Sequence, residues 1–209
     1  MLTPSHVLLS IALCSVSEKK RSLRVTAATV GALIPDVSIF IMWGQARLRG
    51  VKDHKIWSEL YYSDFWQEAG ALTNSMPLFL LLWAIGMTVN SKWSPECAHK
   101  WIGSLGLFVA MLGFSALLHT LLDLPLHHDD GHPHFWPFTD WIYASPVSYW
   151  DVEHYASLWQ PIEIVLSATC MFFLWRRFSG IFAKVLLVIA AVSYVALGVF
   201  FIGGQSGLF

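Results

Sequence analysis

The sequence predicts an all-α protein: a polytopic membrane helical bundle of about five to six transmembrane helices with an irregular outer loop rich in His and Asp. Composition is the first observation behind this fold class. Of 209 residues, 56% are hydrophobic, and only 13 are Lys or Arg and 14 are Asp or Glu. About a quarter of an ordinary soluble domain is charged. The second observation is a series of long apolar runs joined by short connections.

The same composition excludes several other classes of protein. Its apolar content is too high for a disordered chain, and its 14 Gly lack the triplet period of collagen. Three scattered Cys cannot form a disulfide scaffold. A net charge of −1 gives no basic surface for nucleic acid. We therefore expect one integral membrane domain over residues 1–209, with the lipid bilayer as a partner and no nucleic acid.

Six apolar runs are candidate membrane spans. Five are long enough to cross a bilayer, because a span takes roughly 20 residues. The first run is shorter and is expected to enter as a short or tilted helix. Its basic cluster follows the apolar stretch, so it does not have the pattern of a cleaved signal peptide. The runs cover residues 4–17, 23–43, 71–90, 99–123, 157–175 and 180–203.

The distribution of Lys and Arg predicts the orientation of these spans. Nine of the 13 basic residues fall in the connections after the first, third and fifth runs, and the other four fall after the second. Since cytoplasmic loops carry an excess of Lys and Arg, both termini are expected on the extracytoplasmic side of the membrane. Residues 124–155 carry five acidic residues and no basic ones, so we expect an extracytoplasmic loop rich in His, Asp and Trp.

The connection over residues 44–70 mixes aromatic, acidic and basic residues. Such a mixture is typical of a helix lying among lipid headgroups. It fits an aromatic belt that anchors the protein better than a lid that contacts substrate.

Ionisable or amide side chains in or at the ends of the spans point to one site. A charge at the centre of a bilayer costs at least ~2.5 kcal/mol, so such residues usually have a function. Five of them fall toward the predicted outer face: His6, Asp36, Asn74, His119 and Asp123. Pro35 is expected to bend its span and leave room beside Asp36.

A dense set of metal-ligand residues follows the fourth run. His119 and Asp123 are four residues apart, so they share one helix face. Imidazole and carboxylate are ligands of zinc, manganese and iron, and the absence of Cys from this set argues against a structural zinc site. The candidate metal ligands are His6, Asp36, His119, Asp123, His127, His128, His132 and His134, with Asn74 as a weak or indirect ligand.

Three carboxylates are candidates for proton transfer. Asp129 and Asp130 lie among the loop histidines, and Glu163 follows Pro161 at the outer start of the fifth run. A carboxylate at a helix N-terminus with no catalytic role is the alternative for Glu163. His54 and His99 are expected to lie outside the site.

Short blocks of this sequence resemble the bacterial membrane-bound metal-dependent hydrolase family, of the LexA-regulated inner-membrane type. Its motif order resembles that of zinc-dependent phospholipase C. The blocks span about residues 3–138: Thr3-x-x-His6, Gly31-Ala32-Leu33-Ile34-Pro35-Asp36, Leu72-Thr73-Asn74-Ser75, His119-x-x-x-Asp123, and Gly131 to Phe138.

One departure from the family pattern concerns Asn74. Family members commonly carry a His at this position, and their upstream His-Arg-Gly is replaced here by residues 67–70. An amide is a weaker ligand than imidazole. The departure therefore predicts that His127, His128, His132 or His134 supplies the missing nitrogen.

The resemblance and the residue pattern together favour a metal-dependent, phosphoesterase-like hydrolase. It would be integral to a bacterial inner membrane and would act at the outer membrane–water interface on a phospholipid or lipid-linked phosphate ester. Its cofactor would be a divalent ion, with zinc first and manganese or iron as alternatives. A non-enzymatic membrane protein that binds a divalent metal is the second hypothesis. A b-type haem protein with His6 and His119 as axial ligands is the third, and the neighbouring carboxylates disfavour it.

Overall fold

The computed structural model describes residues 1–92 and 100–205, and every regular element in these residues is helical. The predicted all-α class is therefore confirmed. The elements, in chain order, are α1 (Thr3–Cys14), α2 (Arg21–Leu33), α3 (Val37–Leu48), α4 (Asp53–Lys55) with a π-helical turn (Ile56–Leu60), α5 (Asp64–Thr73), α6 (Met76–Lys92), α7 (Lys100–Asp123), α8 (Ala156–Arg177) and α9 (Ile181–Gln205).

Within the described residues, the count of candidate spans is slightly lower than the five to six that the sequence predicts. Within the described residues, three helical stretches are long and apolar enough to cross a membrane: Asp64–Lys92, Trp101–Leu126 and Ala156–Arg177. The pair α2 and α3 makes a fourth if it is one broken span. Helix α1 has 12 residues and is about 18 Å long, which is too short to cross on its own. Within α9, the part with described side chains, Ile181–Ala196, is a shorter apolar stretch.

The second apolar run is broken where the sequence predicts a bend. Helix α2 ends at Leu33 and α3 begins at Val37, with an angle of 60° between them. Pro35 lies in the break, and proline disfavours a continuous helix because it lacks an N–H and clashes with the preceding turn. The break places Asp36 between two helix ends.

Helices α2, α6 and α7 pack closely, and small residues permit the contact. A Cβ atom on Gly31 would lie 2.3 Å from the backbone oxygen of Leu112, and one on Gly86 would lie 2.3 Å from the backbone nitrogen of Ala110. Backbones approach this closely only where side chains are absent or small. The contact between Gly31 and Leu112 fixes the position of α2 along the axis of α7.

Contacts at the two ends of the bundle establish the helix directions. At one end, the side chain of Lys20 at the start of α2 donates to Ser104 near the start of α7. At that same end, Arg177 of α8 donates to the carbonyl of Ser15, just after α1. Helices α2 and α7 therefore run one way and α1 and α8 the other. The start of α1, the end of α2, the end of α7 and the start of α8 meet at the opposite end.

Residues 124–155 cover that opposite end as an irregular loop with two short 3₁₀ turns, Leu124–Leu126 and Val152–His154. Backbone hydrogen bonds hold it in place. The N–H of Met76 donates to the carbonyl of His134, and the N–H of Tyr149 donates to the carbonyl of Leu126. The loop therefore covers the helix ends where the predicted site residues lie.

Candidate metal centre

Three predicted ligands form a compact group at this end of the bundle. His6 comes from α1, and His119 and Asp123 come from the last turns of α7. One potential ligand atom from each lies within 4.8 Å of the others, and all three residues are buried. The His6 and His119 rings stack with centroids 3.6 Å apart and an interplanar angle of 9°. Residues 113 positions apart in the chain are thus brought into contact.

The protonation of His119 follows from its contacts. Its Nδ1 lies 2.8 Å from the carbonyl oxygen of Ala32, and a carbonyl only accepts, so Nδ1–H is the donor. In the neutral ring, Nε2 then carries a lone pair. Metal-binding histidines usually have their other nitrogen fixed in this way.

The Nε2 atom of His119 points at carboxylates. It lies 3.1 Å from Asp123 Oδ2 and 3.6 Å from Asp36 Oδ1, yet it has no hydrogen-bond partner among the described residues. The residue is only 1% exposed. A buried lone pair that faces two carboxylates is unfavourable, and two things would relieve it: a proton on Nε2, which makes an ion pair with Asp123, or a cation between the groups.

Asp123 is the most connected member of the group. Its Oδ1 lies 3.0 Å from His6 Nε2 and 2.6 Å from the amino nitrogen of Met1. Its Oδ2 also lies 3.7 Å from Nε2 of His127, the first histidine of the loop. This carboxylate therefore joins α1, α7 and the loop.

Asp36 approaches the group from the break between α2 and α3. Its Oδ2 accepts a hydrogen bond from Thr3 Oγ1 at 2.5 Å, so the first turn of α1 orients it. The resemblance includes Thr3, but the residue pattern gave it no role. A hydroxyl three residues before His6 lies on the same helix face, and that spacing is the signal that could have found it.

Asn74 supports the break in the second apolar run. Its side-chain amide donates to the carbonyl of Pro35 at 3.1 Å and to the carbonyl of Gly70 at 3.0 Å. The side chain of Thr73 also donates to Pro35 at 3.1 Å. The amide nitrogen of Asn74 therefore donates hydrogen bonds to backbone carbonyls, and the bond to Pro35 supports the position of the adjacent Asp36.

His127 links the group to the loop through a carboxylate. Its Nδ1 lies 2.9 Å from Asp130 Oδ1, on the side away from Asp123. Burial lowers the pKa of His127, but Asp123 and Asp130 outweigh burial and raise that pKa to about 9. Burial raises the pKa of Asp130, and His127 outweighs it, so that pKa lies below its ordinary value.

His132 and His134 lie buried near the group, at right angles to each other with ring centroids 6.3 Å apart. Burial, with His127 and His134 nearby, lowers the pKa of His132 to about 4. Burial also lowers the pKa of His134, whose Nδ1 lies 3.2 Å from the carbonyl oxygen of Asn74. Both rings are therefore neutral at pH 7, as metal ligation requires.

Tyr61 is a site residue that the sequence did not reveal. Its hydroxyl donates to the carbonyl of Asp130 at 2.7 Å and lies 3.4 Å from His132 Nε2. In the sequence it is one of several aromatics in a segment typical of a membrane interface. Nothing in that local pattern separates it from Tyr62, whose side chain is exposed.

Glu163 lies at the first turn of α1. It is 3% exposed, and its Oε1 accepts hydrogen bonds from the N–H of Leu2 at 2.8 Å and from the hydroxyl of Ser5. Its Oε2 has no hydrogen-bond partner among the described residues. A carboxylate is favourable at a helix N-terminus, so Glu163 holds the helix that carries His6.

The remaining candidates lie apart from the group. His128 stacks on His154, and Asp129 is exposed between the loop histidines. His54 is exposed and contacts Ser58. His99 lies outside the described residues.

Residues 1–202 match the family described as YdjM inner membrane protein. No curated protein and no solved structure matches the chain. The apolar helices and the family agree on a multi-pass protein of the bacterial inner membrane, in contact with its lipids. The chain belongs to the YdjM inner membrane protein family.

Proposed function

We propose that this protein is a metal-dependent hydrolase that acts at the outer membrane–water interface on a phospholipid or lipid-linked phosphate ester. One observation carries the proposal: the buried Nε2 of His119 faces two carboxylates and has no hydrogen-bond partner among the described residues. A divalent cation would satisfy all three groups at once.

The donor set fits such an ion. His6, His119 and Asp123 would hold it, with Asp36 adjacent, and imidazole plus carboxylate suits zinc, with manganese and iron as alternatives. His6 Nε2 now shares a proton with Asp123 Oδ1. The cation would displace that proton, because metal ligation requires a deprotonated nitrogen.

The chain's own residues supply orientation and proton transfer. A bound divalent ion lowers the pKa of a water molecule and polarises a phosphoryl oxygen. His127, held by Asp130, directs Nε2 toward the group and would give a proton to the leaving oxygen. Asp130 acts through His127, while Asp129 and Glu163 stay candidates for the same task.

The position of the group supports an amphiphilic substrate. It lies where several helices end, beneath a loop whose exposed side chains include Phe138, Trp141 and Trp150. Trp and other aromatic residues are typical of the headgroup region of a membrane. The excess of Lys and Arg at the far ends of these helices supports an extracytoplasmic site.

A non-enzymatic metal-binding protein is the second candidate. The observation that favours it is the pair of buried, neutral histidines of the loop, His132 and His134, which could receive a cation next to the compact group.

The test uses full-length protein purified in detergent and returned to lipid nanodiscs. Metal content is measured by mass spectrometry, an absorption spectrum checks for haem, and hydrolysis is measured on phospholipids and lipid-linked phosphates with and without a chelator. We expect His119→Ala to lose both metal and hydrolysis, and the exposed control His54→Ala to keep both. Glu163→Gln, which keeps an acceptor for Leu2, separates proton transfer from helix positioning.

Each outcome has a distinct meaning. Absence of metal, with no affinity for zinc, manganese or iron on titration, would refute both candidates. Metal binding at His119 without hydrolysis of any substrate in the panel would favour the second candidate over the first.

A further inference from the structure

A groove lies between α5 and the loop. Its volume is about 790 Å³, which falls within the roughly 300–1,000 Å³ of pockets that hold small ligands. Helix α5 supplies one wall, with Asp64, Glu68 and Leu72, and the loop supplies the other, with Trp136 and Asp140. None of these residues belongs to the candidate metal centre, so the groove is a separate feature.

The groove borders the loop histidines. Ala69 and Ala71 line it on the α5 side. A Cβ atom on Gly70, between them, would lie 2.8 Å from Nδ1 of His132. Pro133, which follows His132 in the chain, lines the groove on the loop side. A ligand in the groove would therefore lie next to the part of the loop that covers the buried group.

Polarity changes along the α5 wall of the groove. Asp64, Glu68 and Leu72 are spaced four residues apart, so they share one face of the helix. The candidate span Asp64–Lys92 begins with this helix. Because a helix rises about 1.5 Å per residue, Leu72 lies about 12 Å further into the span than Asp64. The wall is therefore acidic where the span begins and apolar further in, which is the polarity of a bound amphiphile.

The charge of the groove has one sign. Asp64, Glu68 and Asp140 carry it, and among the described residues no Lys or Arg lines the groove. In the same part of the chain, the ion pairs of Lys and Arg lie elsewhere and involve none of these three carboxylates. Phe65 and Trp136 add aromatic faces, which attract cations. Both features favour a positively charged group and disfavour an anionic one.

We propose that this groove binds a phospholipid whose headgroup carries a primary ammonium. The ammonium would lie among the three carboxylates, and an acyl chain would lie along Leu72. A primary ammonium suits this position because it offers three N–H donors and carboxylates only accept. That the groove selects substrate for the neighbouring centre rests on the proposed hydrolase function, whereas lipid binding itself does not.

The experiment is a lipid competition on full-length protein in detergent. Native mass spectrometry counts phosphatidylethanolamine and phosphatidylglycerol bound from an equimolar mixture with identical acyl chains, and we expect phosphatidylethanolamine to predominate. Glu68→Gln combined with Asp140→Asn should lower the ratio of the two lipids by about fivefold, since each exposed charge pair contributes modestly. Glu59→Gln combined with Asp53→Asn is the matched control, because both residues are exposed and lie outside the groove. It should leave the ratio unchanged.

Two further variants separate the possible outcomes. Glu68→Lys should turn the preference toward phosphatidylglycerol, which a misfolded protein would not do. His119→Ala should lose metal and hydrolysis but keep the preference for phosphatidylethanolamine, so the proposed function and the groove can fail separately. The proposal is wrong if the unsubstituted protein binds the two lipids equally, or if the groove variants keep its preference. Dimers without bound lipid would identify a second copy of the chain as the occupant and would also overturn it.

Discussion

Two histidine pairs of similar local geometry lie in different parts of this molecule. The pair His6 and His119 is about 1% exposed and is built by separate helices, whereas His128 and His154 are half-buried and belong to one loop. Each pair has a backbone carbonyl and a carboxylate as partners. Their local contacts are alike, so the difference between them lies in burial and in what holds each pair together.

Burial makes the same donors behave differently. Around His119 two carboxylates lie within 3.6 Å of one buried imidazole nitrogen. Around His154, water can solvate the free nitrogen and screen the single carboxylate. We therefore expect metal binding at the buried pair, where the uncompensated charge is largest, and not at the loop pair.

The largest effect is expected from Asp123→Asn. This change removes the carboxylate that joins His6, His119 and His127, so zinc binding at the buried group should weaken by more than the roughly 100-fold that follows loss of an outer hydrogen-bond partner. Zinc titration measures this, with Asp53→Asn, an exposed carboxylate paired with Arg47, as the matched control. Equal weakening by both substitutions would contradict the place of Asp123 in the site.

An intermediate effect is expected from Gly31→Ala. The added Cβ would lie 2.3 Å from the backbone oxygen of Leu112, so α2 must move away from α7, at a cost of about 1–3 kcal/mol. The shift would displace the Ala32 carbonyl from His119 and weaken zinc binding at the buried group. Thermal unfolding and zinc titration together test this.

The matched control for that change is Gly44→Ala in α3. Among the described residues, no atom beyond the adjoining backbone of α3 lies within 4 Å of its added Cβ, and the substitution should stabilise the helix by up to about 1 kcal/mol. If Gly31→Ala were as harmless as Gly44→Ala, close helix packing would not be what holds the buried pair.

The smallest effect is expected from Asp151→Asn. It removes the charge that orients His154 but leaves an oxygen in place, and it lies at the loop pair, apart from the buried group. Zinc binding at the buried group and the thermal stability should therefore stay unchanged, as zinc titration and thermal unfolding would measure. A loss of zinc binding would contradict the separation of the two pairs.

Local chemistry made part of this arrangement predictable. The break at Pro35 follows from the missing N–H of proline, and the shared face of His119 and Asp123 follows from helical periodicity. The span count was too high because apolar runs indicate hydrophobicity, and hydrophobicity alone does not show that α1 has only 12 helical residues.

Other features depended on contacts that no local pattern encodes. Asn74 donates to the backbone at the break, Glu163 caps α1 from another helix, and Tyr61 reaches His132 from the interfacial segment. In the sequence, His128 is one of four histidines in a short run. In the structure, its partner is His154, 26 residues away in an irregular loop. Such a loop has no helical or strand periodicity from which the contact could be predicted.

The sequence by itself determined the apolar helices, the break in the second run and the set of His and Asp residues from which a site can be built. These follow from hydrophobicity, proline geometry and helical periodicity, which act over a few residues. Only the tertiary structure decided which nitrogen faces which carboxylate and which histidines pair. Those contacts depend on the rotation and height of each helix against its neighbours, and packing of the whole bundle sets both.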